Sequence, residues 1–206
     1  MKRTQPQILQ GKDTRTRIIR QAISLFSQKG YHATSVEDIA KAAGITKGAF
    51  YWHFESKEGL LESFLEEWER RFLHGLIHAI EEEKGTALEK FKKLSHYTSV
   101  FAIKNRELCV SFDALSGELV GSGKKIEKHF KRIYGAYRNL LFGLIEEGKK
   151  EKVVRQDLDS QLTALIIMSF HHGLLLQWSM NRSELDGVAF MSTYRAILSN
   201  GIFLSK

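Results

Sequence analysis

Proline and cysteine are almost missing from this sequence. Pro6 is the only proline in 206 residues, so no later segment carries the residue that most strongly breaks a helix interior. Cys109 is the only cysteine, which excludes an internal disulfide and favours a reducing compartment. No cationic apolar leader opens the sequence, so we expect a cytoplasmic protein and not a secreted one.

Neither disorder nor a membrane-dominated chain fits the composition. Hydrophobic residues make up 43% and charged residues 27% of the sequence, which is typical of a globular protein. The 31 Lys and Arg exceed the 24 Asp and Glu. Residues 1–60 hold 10 basic and 5 acidic side chains, so this front quarter is the part expected to face a polyanion.

Strand signals are also missing, because no run alternates polar and apolar residues between turn residues. Apolar residues recur instead at helical spacing, as in Ile19, Ala22, Ile23 and Phe26, with Asp13 as a possible cap and Gly30 as the end of the first helix. We therefore predict an all-α fold of about nine helices. Their approximate bounds are 13–29, 35–43, 47–53, 57–83, 86–104, 106–117, 123–150, 158–181 and 185–203.

Residues 35–53 fit a helix-turn-helix. Ser35 and Asp38 can form a capping box, and Thr46 can cap the second helix. Small residues at Ala40 and Gly44 allow the two helices to cross closely. The outer face of the second helix would then suit the major groove of DNA.

Each candidate DNA contact has a functional and a structural interpretation. Gly48 allows close approach to a base or phosphate, or else serves a helix crossing. Lysines anchor phosphates or are simply solvated, hydroxyls and His53 bind the backbone, and Trp52 contacts a base or belongs to the core. The predicted DNA-binding residues are Thr34, Thr46, Lys47, Gly48, Tyr51, Trp52, His53 and Lys57.

The stretch GYHATSVEDIAKAAGITKGAFYWHFESKEGLL resembles the tetracycline-repressor (TetR) family of bacterial regulators. The resemblance covers Ile18 to about Leu61 and implies a helix-turn-helix at 35–54, with Thr46, Lys47, Gly48, Tyr51, Trp52, His53 and Lys57 at the family's DNA-contacting positions. Trp52 stands where tyrosine is commoner. The resemblance also implies a repressor, with a DNA-binding domain at 12–72 and an effector-binding and dimerisation domain at 73–206.

The second half carries a weaker resemblance. The stretch KRIYGAYRNLLFGLIEEGKKEKVVRQDLDSQLTALIIMSFHHGLLLQ looks like the C-terminal domain of choline-responsive betaine regulators, mainly at scaffold positions. It implies a small-molecule effector without identifying it.

Two apolar helix faces near the end of the sequence predict a homodimer with twofold symmetry, and hence a palindromic operator. The predicted interface residues are Leu162, Leu165, Ser169, Gly173, Leu176, Met191, Leu198 and Ile202. Residues 162–180 contain no charged side chain, which would also satisfy the length of a membrane span. Polar residues spread along this run favour a buried bundle helix, and we expect no membrane partner.

Aromatic residues of the middle helices are candidates for an effector pocket, although such residues are more often ordinary core. The candidates are Trp68, Phe72, Phe101, Phe112, Phe142, Phe170, His171 and Trp178. His74 and His78 lie one turn apart but lack the His-Glu-x-x-His pattern of a zinc site, and Cys109 lacks a nucleophile motif. We therefore expect no metal, cofactor or enzyme activity. The alternative function is a constitutive DNA-binding or protein-interaction dimer without an effector pocket.

Overall fold

The computed structural model describes residues 5–123, 125–181 and 184–203, with side chains described from residue 13 onward. Ten α-helices and one π-helical turn follow one another: α1 Gln5–Lys29, α2 Val36–Ala42, α3 Lys47–His53, α4 Lys57–Trp68, the π-helical turn Glu69–His74, α5 Gly75–Glu82, α6 Ala87–Lys104, α7 Arg106–Leu119, α8 Lys125–Lys150, α9 Ser160–Met180 and α10 Gly187–Ile202. Because α4, the π-helical turn and α5 are continuous, these ranges form nine helical rods. The all-α prediction is confirmed. Within the described ranges, β pairing is limited to a single bridge between Val154 and Phe203.

The first helix differs from its predicted bounds. It begins at Gln5, so Asp13 lies inside the helix and does not cap it. Gly30 ends α1 with φ +85°, a left-handed conformation that glycine adopts without steric cost.

The chain forms two compact units. The first unit comprises residues 1–68 and 110–130, and the second comprises 69–109 and 131–206. The domain boundary between residues 72 and 73 stays a prediction, and the structure adds that residues 110–130 group with the N-terminal helices.

Aromatic stacking explains why residues 110–130 belong to the first unit. Phe112 on α7 stacks on Trp68 at the end of α4, with ring centroids 4.2 Å apart, and it also contacts Phe130 at 5.2 Å. The hydroxyls of Ser111 and Ser27 lie 2.6 Å apart. The C-terminal half of α7 is thus built into the core of the helix-turn-helix unit.

A π-helical turn interrupts the long helix at its entry into the second unit. Such turns carry an extra residue and are frequent at functional sites. The carbonyl of Arg71 accepts a hydrogen bond from the Tyr97 hydroxyl at 3.0 Å. Gly75 leaves room for this phenol, because a Cβ at Gly75 would collide with it. Tyr97 therefore supports the π-helical turn through this hydrogen bond. An alanine at position 75 would collide with the Tyr97 hydroxyl.

The uncharged run at 162–180 lies inside α9. Among the helices that the structure describes, none is long and apolar enough to cross a membrane.

Candidate DNA-binding surface

Helices α2 and α3 form the predicted helix-turn-helix. The Ser35 side chain accepts a hydrogen bond from the N–H of Asp38, and Asp38 binds back to the Ser35 N–H, which completes the capping box. The turn is closed by the Ile45 N–H, which donates to the Ala40 carbonyl at 3.0 Å, while Gly44 takes φ +63°. Phe50 is buried on the inner side of α3. Because Phe50 faces the core, the opposite side of α3 faces outward.

The outer face of α3 presents two large aromatic rings. Tyr51 is 48% and Trp52 is 58% exposed, so Trp52 does not belong to the core. A Cβ built on Gly48 meets only the Thr46 hydroxyl, at 3.9 Å. The helix-crossing interpretation of Gly48 is therefore wrong, since no other helix among the described residues comes within 4 Å of this position. The functional interpretation, close approach of an external partner, stays a prediction.

Thr46 and His53 bracket this face. The Thr46 hydroxyl oxygen accepts a hydrogen bond from the Ala49 N–H at 3.1 Å, so its own proton can still be donated to a phosphate. The His53 ring is half-buried and lies edge-on to Trp52, with centroids 4.6 Å apart. His53 thus supports the orientation of the indole.

Lys47 has an intramolecular partner that the sequence did not reveal. Its ammonium donates to the carboxylate of Glu37 on α2, and both side chains are exposed. This hydrogen bond lowers the pKa of Glu37 and raises that of Lys47. A DNA phosphate must therefore compete with Glu37 for the Lys47 ammonium.

Burial removes Thr34 from the predicted DNA contacts, and hydrogen bonds give Lys57 an intramolecular role beside its predicted phosphate contact, which stays a prediction. Thr34 is 1% exposed, and its hydroxyl donates to the Gly30 carbonyl at 2.7 Å. The Lys57 ammonium donates to the carbonyls of Tyr31 and Thr34, each at 2.7 Å, and lies 4.3 Å from the Tyr31 ring centroid. Both side chains therefore brace the loop before α2, a role that the phosphate prediction missed.

Part of the basic excess of the front quarter is also used internally. The Arg17 guanidinium donates to the Ala43 carbonyl at the end of α2, at 3.1 Å. Arg15 lies over the Phe54 ring at 4.9 Å and donates to the Ser63 hydroxyl at 2.7 Å. Their spacing on α1 placed them off the apolar stripe, but only the packed unit shows which carbonyl or ring each one meets.

The predicted effector pocket does not assemble as one set. Trp68 and Phe112 are stacked core residues of the first unit, so they are removed from it. Within the second unit, the ring of Phe72 packs against two others, with centroid distances of 5.1 Å to Phe101 and 5.9 Å to Tyr137.

The remaining candidates are spread along α8 and α9. Tyr137 hydrogen-bonds to the imidazole of His171 at 2.7 Å. Trp178 instead meets the Arg106 guanidinium, 5.4 Å from its ring centroid. Phe142 is half-buried in α8, and Phe170 is exposed on α9. Of the predicted residues, Phe72, Phe101 and His171 therefore come together, joined by Tyr137, which the sequence analysis did not select; these four residues form the aromatic cluster.

The predicted dimer face is largely exposed in the single chain. Leu162, Leu165 and Leu176 are exposed apolar side chains of α9, whereas Ile202 is 6% exposed and is removed from the face because it packs within its own chain. Met191 and Leu198 are half-buried. An open groove of about 470 Å³ runs along α9 and α10, lined by Ile166, Ser169, Phe170, Gly173, Leu174, Gln177 and Phe190.

His78 of the long helix lies beside a carboxylate, with its Nδ1 atom 3.3 Å from Glu82 Oε2. Across the described residues, no group of three His, Cys, Asp or Glu side chains that could hold a metal ion was found.

Comparison with known proteins finds one matching family model and several similar regulators. Residues 18–64 match the family model described as bacterial regulatory proteins, tetR family. The transcriptional regulator AcrR of Shigella flexneri is 30% identical over 203 residues, covering 92% of this chain and 89% of AcrR. The crystal structure of the MbdR regulator from Azoarcus sp. CIB matches with a TM-score of 0.83 and 29% identity, covering 93% of this chain and 100% of that one. FadR from Bacillus subtilis, solved in complex with stearoyl-CoA, matches with a TM-score of 0.74 and 27% identity over 91% of this chain and 98% of that one.

Proposed function

The chain belongs to the TetR family of bacterial regulatory proteins and is a DNA-binding transcriptional repressor regulated by a small molecule, and we propose that it acts as a homodimer on an inverted-repeat operator. The observation that carries this proposal is the outer face of α3, where Gly48, Tyr51 and Trp52 are open to an external partner. A helix with this face fits the major groove, and a twofold dimer places two such helices about 34 Å apart or a multiple of that distance.

The exposed apolar face of α9 and α10 supports the dimer. Leu162, Leu165 and Leu176 are large side chains left in water in the single chain, and such contiguous patches mark interaction surfaces. Ser169 and Gly173 between them are small enough for a partner helix to approach closely. Leu165→Glu should therefore yield monomers in sedimentation velocity, and an unchanged dimer would refute this face.

The effector is proposed to act through the π-helical turn Glu69–His74. Phe72 belongs to this turn and to the aromatic cluster, so a molecule bound at the cluster would contact the π-helical turn, which directly follows α4 in the sequence. Ligand shifts the equilibrium only if it prefers the state that cannot bind DNA. The complex of FadR with stearoyl-CoA supports an acyl thioester as the first candidate, while the likeness to betaine regulators remains a prediction.

In vitro selection of random duplex DNA by the purified protein tests the DNA-binding part. We expect an enriched inverted repeat with half-sites about one helical turn apart, or a multiple of it. Selection of a sequence without symmetry would contradict the dimeric reader. Titration of the resulting complex with stearoyl-CoA then tests the effector, and unchanged DNA affinity would remove this candidate and favour a constitutive binder.

A further inference from the structure

The hydroxyl of Tyr194 is buried without a partner in the second unit. Tyr194 lies on α10 and is 5% exposed. Its Oη atom has no hydrogen-bond partner among the residues that the structure describes. Burial of a hydroxyl without a hydrogen bond costs free energy, and such exceptions call for a specific explanation.

The neighbouring polar atoms satisfy each other and leave Tyr194 out. The Tyr137 hydroxyl and His171 Nδ1 form a hydrogen bond of 2.7 Å, and their rings stack with centroids 6.0 Å apart. The Tyr194 ring stands edge-on to His171 at 5.7 Å. The unpaired hydroxyl therefore belongs to a residue that borders the aromatic cluster through His171.

The cluster is electrically neutral at physiological pH. Burial, and secondarily His172, lowers the pKa of His171 to about 4, so its imidazole is uncharged at pH 7. Burial likewise raises the pKa of Tyr137 and of Tyr194, so both phenols keep their protons. A charged ligand group placed here would lose its hydration and find no counter-ion on these side chains.

Apolar rings flank the Tyr137, His171 and Tyr194 side chains on two sides. On one side, the rings of Phe72 and Tyr137 pack with their centroids 5.9 Å apart. On the other side, the rings of Phe170 and Tyr194 have their centroids 5.9 Å apart. Phe170 also lines the groove of about 470 Å³. Phe190, another lining residue, lies one helical turn before Tyr194 on α10.

We infer that the Tyr194 hydroxyl is the polar anchor of the effector site and donates a hydrogen bond to a neutral carbonyl oxygen of an otherwise apolar acyl group. This inference rests on the proposed function, because it assigns residues and ligand chemistry to the effector that the repressor responds to. Tyr137 and His171 hold the wall of the site by their mutual hydrogen bond.

Two pairs of probes isolate the carbonyl oxygen. Stearoyl-CoA is compared with S-octadecyl-CoA, and benzoyl-CoA with S-benzyl-CoA, by calorimetric titration of the full-length protein at fixed ionic strength. The second member of each pair is a thioether that lacks the carbonyl, and the two pairs distinguish a long-chain from an aromatic acyl group. One hydrogen bond to the carbonyl should make the thioester of the accepted pair bind roughly five- to tenfold more tightly than its thioether.

The Tyr194→Phe variant removes the anchoring oxygen alone. We expect its thioester-to-thioether affinity ratio to fall to about one, while the thermal midpoint stays the same or rises because an unpaired buried hydroxyl is gone. Tyr31→Phe is the matched control, since it makes the same substitution in the first unit, at a residue outside the proposed site. It should keep the affinity ratio.

An unchanged ratio in Tyr194→Phe would overturn the inference, and so would a wild-type protein that binds neither thioester although it binds its operator. If the ligand-free wild-type protein bound no operator, this would instead contradict the proposed function, so the two failures can be told apart.

Discussion

The carboxylate of Glu118 on α7 accepts a hydrogen bond from the backbone N–H of Tyr31 at 2.7 Å, across 87 residues of sequence. It also accepts one from the N–H of His32 at 2.9 Å. Successive N–H groups after a left-handed residue, here Gly30 with φ +85°, form a concave site for an anion. Lys57 binds the carbonyl of Tyr31 at 2.7 Å. The loop before α2 is therefore held between a carboxylate and an ammonium group.

Glu118→Gln should weaken operator binding, because an amide replaces the anion and its NH₂ group cannot accept from these N–H groups. The lost charge-assisted hydrogen bonds, discounted for the exposure of this side chain, should cost about 1 kcal/mol of unfolding free energy. Fluorescence anisotropy with the selected operator and urea denaturation measure the two effects. Glu107→Gln, an exposed position on the same helix, is the control, and equal effects of both substitutions would contradict the clamp.

The same clamp should depend on pH. Although burial opposes it, hydrogen bonds from His32 and Tyr31 lower the pKa of Glu118 below its ordinary value of 4.5. A carboxyl with a depressed pKa in the folded state contributes stability above its unfolded pKa and loses it as the pH falls through the folded value. Wild-type stability should thus fall more steeply than that of Glu118→Gln below about pH 4.5.

Gly48→Ala should separate DNA binding from stability. Apart from the adjoining residues and the backbone of α3 itself, only the Thr46 hydroxyl among the described residues lies within 4 Å of the added methyl group, so the change should stabilise α3 by about 0.5–1 kcal/mol. Operator affinity should fall tenfold or more, about 1.4 kcal/mol, if α3 approaches DNA at this residue. Gly143→Ala on α8, where an added Cβ meets no described atom outside its own helix backbone within 4 Å, is the control. Full operator affinity in Gly48→Ala would rule out close approach at this point.

Substitutions at the Lys47–Glu37 ion pair should move DNA affinity in opposite directions. Lys47→Met removes a cation and should reduce the salt dependence of binding by about one phosphate contact. Glu37→Gln should raise affinity, because the ammonium no longer has to leave a carboxylate. Anisotropy titrations over a range of salt concentrations measure both changes, and identical salt slopes for wild type and Lys47→Met would reject the phosphate contact.

Trp52→Tyr tests base recognition. The indole is 58% exposed on the outer face of α3, so its replacement should alter preference at a single operator position by about 1–3 kcal/mol. Repeating the selection with the variant shows this change directly. Uniform weakening across all sequences would assign Trp52 to backbone contact instead.

His171 should make the stability of the fold depend on pH in a separate range. Its pKa is lowered by burial from 6.5 to about 4, so between these values the unfolded chain binds more protons than the folded one. Stability should therefore fall as the pH drops from about 6.5 to 4, by at most about 3 kcal/mol. His171→Gln, which cannot titrate but retains an amide for Tyr137, should lose this part of the slope in thermal melts. An unchanged slope would show that His171 is not buried as a neutral imidazole.

Local sequence signals determined the fold class and the DNA-binding face. Helix periodicity, the capping box at Ser35 and the glycines at 30 and 44 act within a few residues of one another, so their consequences follow from the chain itself. The outward position of Lys47 and Tyr51 followed from the same spacing, whereas the position of Trp52, which could also have been core, was decided by the structure.

Tertiary packing decided what each polar group meets. Lys57 was expected on a phosphate, yet two backbone carbonyls capture its ammonium, and Glu118 reaches the Tyr31 loop from a helix 87 residues away. Tyr137 pairs with His171, while the Tyr194 hydroxyl has no hydrogen-bond partner among the described residues, and these three side chains come from three separate helices. Periodicity reports whether a residue faces inward or outward, whereas the partner of a buried hydroxyl or an ammonium depends on which distant helix packs against it.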